Sequence, residues 1–461
     1  MTSTSLDPTT VRSALDRSAV LVPADEGYDD ARAIAAGGVE WRPRAIVRPA
    51  DSSGVAQAVR FARDSGAELA VRAGGHSALG LGRADGALTI DLRGLDSLEI
   101  ADDGRSAWAG GGITAGAYTV AAGARGLATP FGDTGSVGIG GLTLGGGVGF
   151  LSRSRGMTID NLLAAEVVTA DGEIVVADAV QHPDLFWGLR GGGGNFGVVT
   201  RLKLALHELP AVVGGVLLLP GTAQGLAALV AAAEDAPREL TTILMVMSAP
   251  PMPFIPAEWH GRIVVMASVC WSGAPEAADA ALAPLRAAAQ EAGGAIVDGI
   301  HAGPYAGLFE GGPGGGHMAY VGRPFFADRI DDAAAAHLVE QLESSDAMMR
   351  AVQVRVLGGA VADVPHDATA YAHRSAPILG QVAAMAPTAE AALGYRTFVT
   401  DLAGRLSDGR DGVYVNFVAD GDPELVSVAY PGAHGERLAA VKRQYDPQNV
   451  FRGNLNITPA P

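Results

Sequence analysis

The chain has 461 residues, enough for two or more domains with sizeable cores. Its formal net charge of −17, spread along the sequence, excludes the basic stripe that nucleic acid requires and disfavours an anionic membrane surface. A single cysteine, Cys270, excludes a disulfide framework or a cysteine-based metal site within the chain. The start, Met1 to Arg12, is polar and has no apolar signal core, and no run of about 18 uninterrupted apolar residues occurs. A cytoplasmic protein with no membrane span is expected. The 63 glycines are clustered rather than periodic, at roughly twice the usual ~7% share.

The first 210 residues alternate short strands and helices. Ala45-Ile46-Val47-Arg48-Pro49 reads as a strand. Asp51 or Ser52 then caps a helix whose apolar positions Val55, Ala58, Val59 and Ala62 recur at helical spacing. Gly66 ends it, and Leu69 to Arg72 forms the next strand. His76 lies at the exit of this strand–helix–strand unit, where α/β sheets commonly place chemistry. Further on, Ala165 to Thr169 and Glu173 to Ala177 flank Asp171-Gly172, a two-residue hairpin signal.

From about Pro210 the texture changes. Alanine-rich helices, Pro275 to Gly293 and Asp331 to Leu342, alternate with strands Ile243 to Met247, Ile263 to Val269 and Ala351 to Val356. Pro250 to Pro253 and Gly311 to Gly316 are loops by composition. A last strand, Val413 to Val418, and a helix, Gly435 to Tyr445, precede an asparagine-rich tail.

Three glycine-rich tracts stand out: Gly74-Gly75 before His76, Gly138 to Gly149, and Gly191 to Gly197. Glycine serves where backbone approaches something closely or where φ is positive. The tracts and His76 together point to a long anionic cofactor on bare backbone beside a nucleophilic side chain. The plain alternative is that the glycines are turns and His76 a capped loop residue. Gly192, Gly194 and Gly197 spell G-x-G-x-x-G, but the residues after them, Val198 to Leu202, read as a strand. A Rossmann site needs a helix there, and that reading is rejected. No P-loop and no H-E-x-x-H exists, the ten histidines are scattered, and no metal is expected. Cys270 reads as a small buried hydrophobe. In Ala351 to Leu357, Gln353 and Arg355 share the face opposite Val352, Val354 and Val356. Tyr414 and Asn416 likewise oppose Val415 and Phe417. Each pair is either an ordinary solvated face or a polar face closing over a ligand.

Together these segments resemble the FAD-linked oxidases of the vanillyl-alcohol oxidase type, berberine-bridge-enzyme-like branch. The likeness is carried by Arg72-Ala73-Gly74-Gly75-His76-Ser77, Gly138 to Gly149, Asp160-Asn161, Asp184 to Val199 with its Trp187 and Gly191-Gly192-Gly193-Gly194-Asn195, and Tyr445 to Ile457. It implies an α+β, two-domain PCMH-type FAD-binding fold with a central antiparallel-sheet substrate domain. Residues 1–210 would bind FAD, 211–410 would bind substrate, and 411–461 would return to the FAD domain.

The resemblance implies FAD attached through its 8α-methyl group to His76 by one covalent bond. The position where some members carry a second attachment, a cysteine, is Thr134 in this chain. Expected cofactor contacts are Arg72, Ala73, Gly74, Gly75, His76, Ser77, Gly132, Thr134, Val137, Gly138, Gly140, Gly141, Gly145, Gly147, Val198, Asn454 and Asn456. Expected catalytic residues are Tyr414 as base or proton relay, Asn416, Gln353, and Arg355 as holder of an anionic group. Gln353 stands where some relatives have a carboxylate, and it cannot take a proton. Tyr371, His373 and Arg374 rank below these, with a structural role for Arg374.

The activity implied is oxidation of an alcohol or amine C–H of a small secondary metabolite by hydride transfer to flavin N5, with O2 reduced to H2O2. Three other readings stay open. One is oxidative rearrangement of a polyketide-like substrate, against which Val137 lacks a hydroxyl near the expected oxygen site. The others are a carbohydrate oxidase, which 6% aromatic residues disfavours, and a non-catalytic flavin scaffold. A homodimer is the assembly the resemblance implies.

Overall fold

A computed structural model of the chain describes residues 7–34, 41–77, 85–309, 318–419 and 422–461. The glycine loop expected at Gly311 to Gly316 lies outside the described residues.

The first sheet has four strands in the order Ser18–Leu21, Ala45–Pro49, Leu88–Asp91, Leu69–Arg72. The strand–helix–strand unit is present, with Leu88–Asp91 inserted between its two strands and parallel to both. Its helix, Ser52–Ser65, begins where the Asp51 carboxylate accepts from Gly54 N at 2.8 Å and ends at Gly66 with φ 68°. Val55, Ala58, Val59 and Ala62 are fully buried against the sheet.

A second sheet, entirely antiparallel, runs Leu98–Ile100, Ser106–Gly110, Val198–Ala205, Leu162–Val168, Ile174–Asp178. The strand Val198–Ala205 follows the G-x-G-x-x-G, as the rejection of a Rossmann site requires. The Asp171-Gly172 hairpin forms, but not as a two-residue mirror-image turn. Gly172 takes φ 80° while Asp171 is not left-handed, and Gly172 N–H donates to Thr169 O at 2.9 Å. That leaves an ordinary turn closed by one left-handed glycine, which spares Asp171 the strain of positive φ.

The third large sheet has eight antiparallel strands. Its main path is Val297–Asp298, Val212–Pro220, Ile263–Trp271, Leu240–Ser248, Met349–Val356, Ile378–Ala386, Ala319–Ala327, with His301–Gly303 also pairing on Val212–Pro220. One face is the larger core: Leu244, Val246, Val265, Ala267, Val352, Val354, Val382 and Ala384 are fully buried under helices Ala223–Glu234, Ala278–Glu291, Asp332–Ser344 and Arg396–Ser407. Alternation by twos sends the other residues of each strand to the opposite face.

The C-terminal residues join the earlier core. Leu425, Leu438, Val441, Leu455 and Ile457 pack with Ala107, Tyr118, Leu185, Phe196 and Leu202, and each fully buried leucine contributes roughly 1.5–3 kcal/mol. Lys442, fully buried, ties the tail down by donating to Asp446 Oδ2 at 2.7 Å and to the Asn195 and Phe451 carbonyls at 2.8 Å.

One expected element is corrected. Val413 to Val418 is not a strand; Val415–Phe417 is one turn of 3-10 helix, and the flanking residues pair with no sheet. It lies against both the helix Ile139–Gly145 and the edge strand Ala319–Ala327, but its 3-10 backbone makes no ladder with that edge. Among the described residues no helix is long and apolar enough to cross a membrane, and no group of three or more His, Cys, Asp or Glu could hold a metal.

Candidate active site

A cavity of about 570 Å³ is walled by the exit of strand Leu69–Arg72, by the second and third glycine tracts, and by the open face of the eight-stranded sheet. Gly75, at φ 74°, turns the chain after Arg72 and brings His76 to the cavity wall. Burial, and then the nearby Arg72 charge, hold the His76 imidazole below its ordinary pKa. It is therefore neutral near pH 7, with a ring nitrogen lone pair to use as nucleophile. Arg72 is 7% exposed, donates to Ala31 O, and has a buried Nε with no partner among the described residues. Burial first, then the Arg93 charge, pull its pKa to about 10.

The glycines divide into two kinds. A Cβ on Gly74 would stand 3.0 Å from Gly138 Cα and closer still to its nitrogen, and one on Gly138 would stand 2.9 Å from Gly74 Cα. These two let the His76 loop and the second tract touch backbone to backbone. Gly140 does the same against Gly111 O, 2.6 Å from a would-be Cβ, and Gly145 makes room for the Asn416 amide. Gly141 is the other kind: it lines the cavity, and no atom lies within 4 Å of a Cβ built there. Here bare backbone faces open space. The helix Ile139–Gly145 starts at this wall without a side-chain cap on its first amides.

Across the cavity, the second tract presents Gly147 N–H to Tyr414 Oη at 2.8 Å, and Asn416 Nδ2 donates to the same oxygen at 3.1 Å and to Leu142 O at 2.9 Å. Burial raises the Tyr414 pKa, while the Asn416 and Gly147 hydrogen bonds oppose the rise. The phenol oxygen accepts twice, and no described residue accepts its hydrogen. Tyr414 packs edge-on against Phe417 and Tyr371, at ring centroids of 5.0 and 6.1 Å. The 3-10 turn thus aims Tyr414 and Asn416 at one glycine tract, as the strand reading had implied through alternation.

Arg355 lines the cavity but is already engaged. Its Nη2 meets Asp133 Oδ2 at 2.7 Å, Nη1 donates to Val148 O at 2.6 Å, and Nε donates to Gln353 Oε1 at 3.0 Å. A cation neutralised in this way is a poor free anchor for an anionic substrate. It fixes the sheet to the glycine tract instead. Gln353, accepting from Arg355, is not on the cavity wall.

Of the expected residues, Arg72, Ala73, Gly74, Gly75, His76, Ser77, Gly132, Thr134, Val137, Gly138, Gly140, Gly141, Gly147, Val198, Asn454, Arg355, Tyr414 and Asn416 line one cavity. Gly145, Asn456 and Gln353 do not. Asn454 Nδ2 holds Gly194 O at 2.9 Å, joining the tail to the third tract. Arg374 pairs with Asp160 through two bonds of 2.7 and 2.8 Å away from the wall, and His373 stacks on Phe326 at 4.7 Å. Cys270 is fully buried, its thiol pushed up to about 12 by burial.

Wall residues that sequence reasoning missed are Asp133, Tyr320, Gln381, Met385 and Phe417. The alternation Gln381, Ala383, Met385 against Val382 and Ala384 was a usable signal for the sheet members.

The wall suits an elongated anionic molecule with an electrophilic carbon near His76. Bare amides, an unpartnered Arg72 Nε and a neutral imidazole are the groups that a flavin dinucleotide can use.

Comparison with known proteins agrees. The profile of a family described as FAD binding domain matches residues 43–178, and one described as berberine and berberine like matches residues 413–458. The (R)-6-hydroxynicotine oxidase of Paenarthrobacter nicotinovorans is 33% identical over 460 residues, covering 95% of this chain and 96% of that protein. The crystal structure of 6-hydroxy-D-nicotine oxidase from Arthrobacter nicotinovorans superposes with a TM-score of 0.84 at 28% identity, over 96% of this chain and 98% of that one. Glucooligosaccharide oxidase from Acremonium strictum, described with a 6-S-cysteinyl, 8α-N1-histidyl FAD, superposes with a TM-score of 0.84 at 25% identity, over 98% of this chain and 99% of that one.

Proposed function

The chain belongs to the FAD-linked oxidoreductases of the berberine-bridge-enzyme-like family, with their PCMH-type FAD-binding fold, and from this we propose that it is an oxidase whose FAD is bonded once, to His76. Its substrate is an alcohol or amine C–H of a small secondary metabolite, and O2 is the final acceptor. The observation that carries the reading is the neutral imidazole of His76 on the wall of a glycine-lined cavity, facing a site that also holds Tyr414 and Asn416. When bound, FAD supplies a hydride acceptor at N5 and passes two electrons to O2 as H2O2.

The residues of this chain do the rest. Arg72 and the amides of the second tract hold the anionic part. Gly141 gives it room. Thr134 has no thiol, so the cysteinyl link described for glucooligosaccharide oxidase cannot form here. Tyr414 acts as base in its phenolate form, which burial disfavours and the Gly147 and Asn416 donors favour; the phenolate takes the proton that leaves the substrate OH or NH and becomes the phenol. Gln353 neither reaches the wall nor takes a proton, so Tyr414 carries that role alone. Arg355 holds Asp133 and Val148 so that the sheet keeps its distance from the tract. Val137, an apolar wall residue, favours oxidase over oxygenating chemistry. Domain roles follow: residues 1–210 with 411–461 bind FAD, and 211–410 close over it.

A peroxide-coupled screen of neutral alcohols and amines tests this reading. It expects H2O2 in proportion to substrate consumed. Product formed with oxygen incorporated, and no peroxide, would overturn it in favour of oxygenation.

A further inference from the structure

We propose that Arg93 and Arg48 are positioning residues for cofactor binding: together they saturate the Asp91 carboxylate, so that Arg72 stays an uncompensated cation on the cavity wall for the pyrophosphate of FAD. The inference rests on the FAD reading and extends it to two arginines that are not on the wall themselves.

Strand register brings the four charges together. Strands Leu69–Arg72 and Leu88–Asp91 run parallel, with Arg72 directly beside Asp91. Adjacent strands lie only about 4.8 Å apart. Arg48 comes from Ala45–Pro49, which is parallel to Leu88–Asp91 on its other edge. Arg93 follows Asp91 in the 3-10 turn Leu92–Gly94. Left open, the fully buried Asp91 carboxylate would be the natural partner of Arg72, and a paired guanidinium has little attraction left for a ligand.

That pairing is pre-empted. Arg93 donates to both carboxylate oxygens, from Nη2 at 2.7 Å and from Nε at 2.9 and 3.2 Å, and its backbone N–H adds a bond at 3.2 Å. Arg48 Nε donates to Asp91 Oδ2 at 2.9 Å. Among the described residues the one hydrogen bond of Arg72 goes instead to Ala31 O, a carbonyl that also accepts from Arg93 Nη2 at 3.2 Å. The buried Nε of Arg72 has no partner and lies against Gly75, where a Cβ would stand 2.9 Å from it. Gly75 thus lets the guanidinium lie directly under the loop that carries His76. With its pKa at about 10, Arg72 is still a cation at neutral pH. Three guanidiniums and one carboxylate leave two positive charges here, in a chain of net charge −17. The FAD pyrophosphate is a dianion, and a guanidinium is the side chain best shaped to hold phosphate oxygens.

Titration of FAD into the His76→Ala protein stripped of flavin, followed by flavin fluorescence, tests the proposal and needs no substrate. Arg93→Gln should weaken FAD about tenfold or more, because the released carboxylate neutralises Arg72. Adding Asp91→Asn should bring the affinity back to within about threefold of the His76→Ala parent, because no carboxylate is left to screen. Arg48→Gln, which frees Asp91 only in part, should weaken FAD about threefold. A structural role for these residues predicts the opposite order, with the Asp91→Asn/Arg93→Gln protein the weakest binder. Should the Asp91 variants fail to fold, Arg93→Lys should stay within about threefold of the parent while Arg93→Gln does not. Arg93→Gln with the parent's affinity, or a folded double variant with no recovery, would overturn the proposal alone. A His76→Ala parent that binds no FAD would overturn the FAD reading and the proposal with it.

Discussion

Replacing Gly74 by alanine isolates the contact on which the His76 loop depends. The residue is not left-handed, so alanine is allowed by its backbone and only space is at issue. The new Cβ would lie 3.0 Å from Gly138 Cα, against ordinary contact from 3.4 Å. The two tracts must therefore part by at least 0.4 Å (3.4 − 3.0), and by more at the Gly138 nitrogen. Both sides of the contact are backbone, so no side chain can swing away. Overpacking of this kind costs about 1–3 kcal/mol, or roughly 2–4 °C of Tm per kcal/mol in larger domains. The displaced loop carries His76, so flavin attachment should fall with stability. Gly141→Ala is the matched control, since its Cβ meets nothing within 4 Å. It should keep or slightly raise stability, as alanine does over glycine in a helix, yet lower flavin loading, because it fills the cavity. The assay is Tm by circular dichroism together with the ratio of flavin to protein absorbance. Gly74→Ala with wild-type Tm and full flavin loading would refute the reasoning.

Three further outcomes are expected. Tyr414→Phe keeps the ring contacts but leaves the buried Gly147 N–H unpaired; denaturant titration should show a loss of about 1–3 kcal/mol, and kcat with any substrate from the screen should drop about 10²–10⁴-fold. Lys442→Met removes the cation beside the fully buried Asp446 carboxylate, which keeps only its Val450 and Phe451 N–H donors, and chemical denaturation should register about 3–5 kcal/mol. His207 and His373 both have folded-state pKa values held below the ordinary imidazole value, chiefly by burial. As pH falls below about 6.5 the unfolded chain takes up these protons first, so their stability contribution is full above that pH and is lost below it. Tm measured at about pH 7.5, 6.5 and 5.5 should fall at the last step, and a constant or rising Tm would contradict the argument.

Much of the frame was readable because local signals agreed with tertiary ones. Asp51, the Val55–Ala62 stripe and Gly66 mark a helix whose cap, face and stop are all realised. The alternation in Ala351 to Leu357 sorts core from cavity side correctly. Val413 to Val418 misled because alternation reports which side chains share a side, not whether a partner strand exists. Tyr414 and Asn416 converge anyway, through a 3-10 turn. The glycine tracts were legible as close approaches, but not as to what approaches. Gly74 and Gly138 meet each other, Gly145 meets Asn416, and Gly141 meets open space. Arg355 looked like a substrate anchor because its partner Asp133 is distant in sequence. Tyr320 was missed because it carries no motif, and only its register opposite Met385 brings it to the cavity.

The central claim is the covalent link at His76. Acid precipitation of the purified protein, followed by proteolysis and sequencing of the coloured peptide, tests it directly. Flavin should remain in the pellet, on the peptide containing His76, and should be absent from the pellet of His76→Ala. Flavin released to the supernatant by the wild-type protein, or retained by His76→Ala, would contradict it.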